Sequence, residues 1–211
     1  MKTIELLAFE KEENICKIFD VSNQIRGFMK PHNDITKEKF STLFSNIQAV
    51  LSYWTGNTYI GSPKDEKLQK AFNHFFNDLL SLLLYIRDSE RFPNEIRIEI
   101  SKTLYQGVLY RYLGRSSDEY HFSNDKTKPV EPVYNDIYVS WSKNESNSYI
   151  EGKLYGPMTR LKCVVDDKNY GIDLTPFGVS KSDEEEVVFP TIESTIIKID
   201  YLRTEEYEQS E

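Results

Sequence analysis

The chain has 211 residues, with 34 acidic against 26 basic side chains and a net charge of -8, a balance that opposes non-specific binding to nucleic acid or anionic membrane but leaves room for a local basic groove. Hydrophobic residues make up 39%, and a chain of this length buries roughly 70% of the surface its unfolded form exposes, so it needs no disulfide or metal to fold. Its two cysteines, Cys16 and Cys163, exclude a disulfide scaffold and a four-cysteine zinc site.

Met1-Lys2-Thr3 leads into Ile4, Glu5, Leu6, Leu7, Ala8, Phe9 and Glu10, a stretch too short and too acidic for a secretory signal. No apolar run reaches the roughly 18 residues of a membrane span. The expected setting is a cytoplasm, that of the producing cell or of a cell receiving the protein as an effector.

Residues 11–29 place Ile15, Ile18, Phe19, Ile25, Phe28 and Met29 at helical spacing, and Pro31 closes the segment. A second helical pattern runs Phe40, Leu43, Phe44, Ile47, Leu51, Trp54 and stops at Gly56-Asn57. In the third, Ser62-Pro63 reads as a cap followed by proline at the first helical position, with Asp65 in the first turn. Leu68, Phe72, Phe75, Phe76, Leu79, Leu83 and Ile86 then form one apolar face, widened by Leu80, Leu82 and Leu84, which predicts burial on most sides. Residues 94–105 fit a strand through Ile96, Ile98 and Ile100 and a helix through Ile96, Ile100 and Leu104; helix is preferred, with Pro93 at its start.

Beyond residue 106 the pattern changes to short strands over Gly107–Leu113, Asp136–Ser142, Arg160–Val165, Tyr170–Leu174, Glu186–Phe189 and Thr195–Leu202. Residues 115–135 read as a long polar connection. Helices first and strands afterwards predict an α+β class: a helical part over 1–105, a β-rich part of the same domain over 106–203, and an acidic, frayed tail over 204–211.

His32, His74 and His121 are isolated, and no glycine-rich phosphate loop or serine nucleophile elbow is present. Three features remain. Arg111, inside Val108-Leu109-Tyr110-Arg111-Tyr112-Leu113, reads by itself as a solvent-facing strand residue, although an arginine among strand apolars also suits an anion. Ser140 and Ser142 in Tyr138-Val139-Ser140-Trp141-Ser142 share a strand face. Glu184 and Glu186 in Glu184-Glu185-Glu186-Val187-Val188-Phe189-Pro190 do the same where an acidic run enters a strand.

In this order and spacing the three features resemble the mono-ADP-ribosyltransferases of the Arg–Ser-x-Ser–Glu-x-Glu class, closely so around the clostridial Rho-modifying exoenzymes and related bacterial and phage transferases. Tyr110-Arg111 is similar to the family's aromatic-Arg pair, and Tyr138 to Ser142 to its Ser-Thr-Ser strand. Tyr149 stands at the offset of the aromatic that covers nicotinamide. Thr159-Arg160-Leu161-Lys162-Cys163-Val164 resembles its basic strand, and Tyr170-Gly171-Ile172-Asp173 a Gly-Tyr-Ile-Asp-like strand end. Phe177 matches an exposed aromatic that helps to choose the target, and Glu184 to Pro190 the closing Glu-x-Glu block. The resemblance covers residues 106–202. Trp141 departs from the family's middle Thr, and Tyr112 from its usual small residue.

The resemblance implies two small, mostly antiparallel sheets forming a cleft beside the N-terminal helices. It implies NAD as co-substrate, no metal, and transfer of ADP-ribose to a macromolecular acceptor. Glu186 would face an oxocarbenium-like transition state, as in glycoside hydrolysis. Ser140 would orient Glu186 or the ribose, and Glu184 would meet the acceptor, expected to be protein arginine. Arg111, Ser140, Ser142 and Tyr149 form the implied cofactor-binding set, with Arg111 on the pyrophosphate. Two alternatives stand beside this reading. One is a toxin that modifies nucleic acid in a toxin–antitoxin or phage-defence pair, with an antitoxin as partner; the other is a non-catalytic interaction module on the same fold.

Overall fold

The computed structural model describes residues 2–56, 65–114, 120–121, 131–132, 137–146, 158–179, 185–191 and 195–203. The chain divides into two compact units: residues 1–104 with 176–179, and residues 105–175 with 180–211. Its class is α+β.

The first unit carries four helices, α1 (Lys2–Phe28), α2 (Lys37–Gly56), α3 (Glu66–Asp88) and α4 (Asn94–Ser101). Asp65 caps α3 by accepting the Leu68 N–H at 3.2 Å, so the cap is Asp65 rather than a residue of the first turn. The proposed Ser62-Pro63 start lies outside the described residues. Phe72, Phe75, Phe76, Leu79, Leu82, Leu83 and Ile86 are fully buried on α3. Ile18 and Ile25 of α1 and Ile47, Leu51 and Trp54 of α2 are buried as well, and the Trp54 ring packs edge-on to Phe72 and Phe76 at 4.9 Å. His74, Asn77 and Ser81 form an exposed strip, so α3 keeps one wet side. Helix α4 ends earlier than expected. The Thr103 hydroxyl donates to the Ile100 carbonyl at 2.6 Å, which closes the last turn. The chain then extends into β1 (Leu104–Tyr105).

The remaining strands are β2 (Gly107–Gly114), β3 (Tyr120–His121), β4 (Glu131–Pro132), β5 (Tyr138–Ser142), β6 (Met158–Val165), β7 (Gly171–Asp173), β8 (Glu186–Pro190) and β9 (Thr195–Arg203). Seven of the nine form one sheet in the order β1-β7-β8-β5-β2-β6-β9. The polar connection expected over 115–135 contains the other two, β3 and β4, which pair with each other.

On one face of the sheet, Leu109, Leu113, Val139, Trp141, Leu161, Cys163, Val187 and Phe189 make the core. Strand alternation sends Tyr110, Tyr112, Ser140, Ser142 and Glu186 to the other face. Gly171 is required by close approach: a Cβ there would meet Val187 Cγ1 at 2.5 Å, so only glycine lets β7 lie against β8.

The seam between β2 and β5 is unlike its neighbours. Strands β2 and β6 pair continuously from Gly107↔Val165 to Gly114↔Met158, and β5 and β8 from Tyr138↔Pro190 to Ser142↔Glu186. Strands β2 and β5 pair at Tyr110↔Ser142 alone. The continuous sheet is therefore two ladders, β1-β7-β8-β5 and β2-β6-β9, joined at a narrow junction.

Candidate functional site

The antiparallel β5–β8 ladder sets Ser142 directly opposite Glu186 and Ser140 opposite Val188. Ser140 and Glu186 are thus diagonal neighbours on one face, within reach of each other's side chains. The Ser140 hydroxyl donates to Glu186 Oε1. Glu186 is only 6% exposed, and a carboxylate buried to that degree requires donors of this kind. Ser142, also buried, accepts the Asn144 N–H on its Oγ at 3.0 Å.

Arg111 meets Ser140 through the serine backbone, from the other face of the sheet. Alternation along β2 groups it with Leu109 and Leu113, on the face opposite Tyr110. Continued pairing would set Tyr112 opposite Ser140, but the β2–β5 ladder has ended at Tyr110↔Ser142. Arg111 Nη1 donates to the Ser140 carbonyl instead. The half-buried guanidinium is therefore bonded to the backbone of Ser140, whose hydroxyl on the other face holds Glu186. Residues 29 and 46 positions apart in the chain converge there.

Trp141 lies on the opposite face. It is 2% exposed, packs in the sheet core, and its indole N–H donates to the Phe189 carbonyl at 3.3 Å. Trp141 is therefore a packing residue, on the face opposite the two serines. Tyr112 is buried, and its hydroxyl donates to the Glu145 carbonyl.

Phe177 requires a correction. The expected exposed aromatic is 6% exposed and belongs to the helical unit, where its ring stacks on Phe44 at 6.4 Å and its carbonyl accepts Gln48 Nε2 at 2.9 Å. A short 3-10 turn, Thr175–Phe177, carries it there, and burial of apolar ring area outweighs exposure. Tyr149 and Glu184 lie outside the described residues.

Around these residues lie further polar and charged groups, of which Tyr105, Lys143 and Glu145 carried no signal in the sequence. Glu145 receives Arg160 Nη1 on its carbonyl at 2.6 Å, Arg160 Nη2 on Oε1 at 3.1 Å and the Tyr110 hydroxyl on Oε2 at 3.4 Å. The Arg160 and Lys162 cations both stand 5.7 Å from the centre of the Tyr110 ring. Lys143 Nζ pairs with Asp173 Oδ2 at 2.9 Å. Burial, and then the Asp173 charge, push the Tyr105 phenol above its ordinary range. Glu185 adopts φ 39°, a left-handed conformation costly for a residue with a Cβ, immediately before Glu186.

Among the described residues no cluster of His, Cys, Asp or Glu has the arrangement to hold a metal ion, and no helix is long and apolar enough to cross a membrane. Comparison with protein-family models, with curated proteins and with solved structures finds no significant match to the chain.

Proposed function

We propose that the chain is a mono-ADP-ribosyltransferase that moves ADP-ribose from NAD to a macromolecular acceptor, protein arginine first among them. The observation that carries this reading is that Arg111 and Glu186 both bond to Ser140, the carboxylate to its hydroxyl and the guanidinium to its carbonyl. The finer architecture proposed with it is two sheets about a cleft, with the narrow seam as the line between them. NAD would lie across that seam as substrate.

The reaction needs a carboxylate that is held still and faces a developing cation. The bond from ribose C1′ to the nicotinamide nitrogen breaks, and its electron pair leaves with nicotinamide. The ribose is left as an oxocarbenium ion. Glu186 stabilises that charge more than it stabilises ground-state NAD, which is the condition for acceleration. Ser140 fixes the carboxylate, and Arg111 offers forked donors to the pyrophosphate. An acceptor nitrogen then bonds to C1′ and gives up a proton, a step assigned to Glu184. Tyr149 is assigned to the nicotinamide face.

The test is incubation with NAD labelled in the adenylate, with and without a whole-cell lysate. Nicotinamide release and macromolecular label are expected from the native chain and neither from Glu186→Gln, a near-isosteric change that removes the charge. A folded Glu186→Gln variant with normal turnover would overturn the assignment. Protease or nuclease sensitivity of the label tells a protein acceptor from nucleic acid.

A further inference from the structure

We propose that Lys143 and Asp173 form a strap across the start of β8 that positions Glu186, a role that rests on the transferase reading above. Strand β8 begins between two segments. On one side the Lys143 N–H donates to the Glu185 carbonyl at 3.3 Å; on the other the Leu174 N–H donates to the Glu186 carbonyl at 2.9 Å. The Lys143–Asp173 ion pair joins those flanking segments to each other at 2.9 Å, so the first residues of β8 are gripped from both edges and tied over.

The strap lies on the face away from the Glu186 side chain. Asp173 pairs with Val187, so its side chain shares the Val187 face and not that of Glu186. Lys143, just past the end of β5, reaches Asp173 there with its ammonium group. The pair therefore acts on Glu186 through the backbone. Its construction favours rigidity. The Asp173 side chain is 9% exposed and the Lys143 side chain 21%. Asp173 Oδ1 also accepts the Thr175 N–H at 2.9 Å, so both carboxylate oxygens are engaged. Glu185, at φ 39°, is a strained residue that its surroundings must hold in place, and the strap closes directly beside it. A carboxylate displaced by about 1 Å from the reacting carbon loses on the order of 100-fold in rate.

The experiment compares native chain, Asp173→Asn, Lys143→Arg and the double variant Lys143→Met/Asp173→Asn in steady-state nicotinamide release. Asparagine keeps an acceptor for Thr175, and the double variant leaves no buried charge alone, so folding is retained. Expected are a fall in kcat of about 10- to 100-fold for Asp173→Asn and the double variant, a KM for NAD within about twofold, and near-native kcat for Lys143→Arg. Native kcat in the folded double variant would overturn the strap, as would a KM that rises in step with the loss of kcat. If the native chain releases no nicotinamide, the transferase reading falls. The strap is then decided by amide hydrogen exchange: protection at Leu174 and Lys143 should drop in the double variant while the β2–β6 amides keep theirs. Unchanged protection at Leu174 would refute it.

Discussion

Ser140 and Glu186 are diagonal neighbours on one face of the β5–β8 ladder, and the serine hydroxyl donates directly to the buried carboxylate. A hydrogen bond to a charged group contributes about 1.5–3 kcal/mol. If Glu186 faces a developing cation, the bond holds the charge in the orientation where it is needed.

Ser140→Ala should therefore lower nicotinamide release by about 10- to 100-fold, the rate equivalent of that bond. The protein should remain folded, since Ser142 still lies opposite Glu186. Steady-state rates with a parallel thermal melt check this. A folded variant with native kcat would remove Ser140 from the site.

Arg111→Lys should weaken NAD binding by about tenfold or more. Lysine keeps the charge, but its compact ammonium cannot hold the Ser140 carbonyl and a phosphate with the same planar fork. Calorimetric titration of both proteins with NAD gives the ratio. Equal affinities would mean that Arg111 closes the seam and does not touch the substrate.

Trp141→Thr should do harm. The indole is 2% exposed within the sheet core, and replacing such a side chain with a small one costs about 3–5 kcal/mol. Urea unfolding should show that loss, while activity per folded molecule at low temperature stays near native. A variant within about 1 kcal/mol of native stability would contradict the packing role.

Cys163 makes stability depend on pH at the alkaline end. Burial pushes its thiol from 9.0 up to about 12. Between those values the unfolded chain has lost a proton that the folded chain keeps, so stability is whole below about pH 9 and falls as pH rises toward 12. Urea midpoints at pH 8, 9 and 10 should decline more steeply for the native chain than for Cys163→Ala. Parallel declines would show that Cys163 contributes no such dependence.

Local patterns in the sequence already spelled out much of the architecture. Alternation over Val108–Leu113 and Tyr138–Ser142, helical spacing from Leu68 to Ile86, and the change from helices to strands near residue 106 all depend on neighbours a few positions away. So did the shared face of Ser140 and Ser142, because a pleated strand has period two wherever it lies. Tertiary structure decided the rest. No local pattern reveals that β5 lies between β8 and β2, that the β2–β5 ladder stops after Tyr110↔Ser142, or that Arg111 bonds the Ser140 carbonyl. Phe177 looked like an exposed loop residue because its covering ring, Phe44, is far away in the chain. Nothing local pairs Lys143 with Asp173, which meet at 2.9 Å only because their segments flank β8. Ladder order, burial and ion pairing depend on which distant segments meet, and that is set by the free energy of the whole packed sheet and not by periodicity within any one strand.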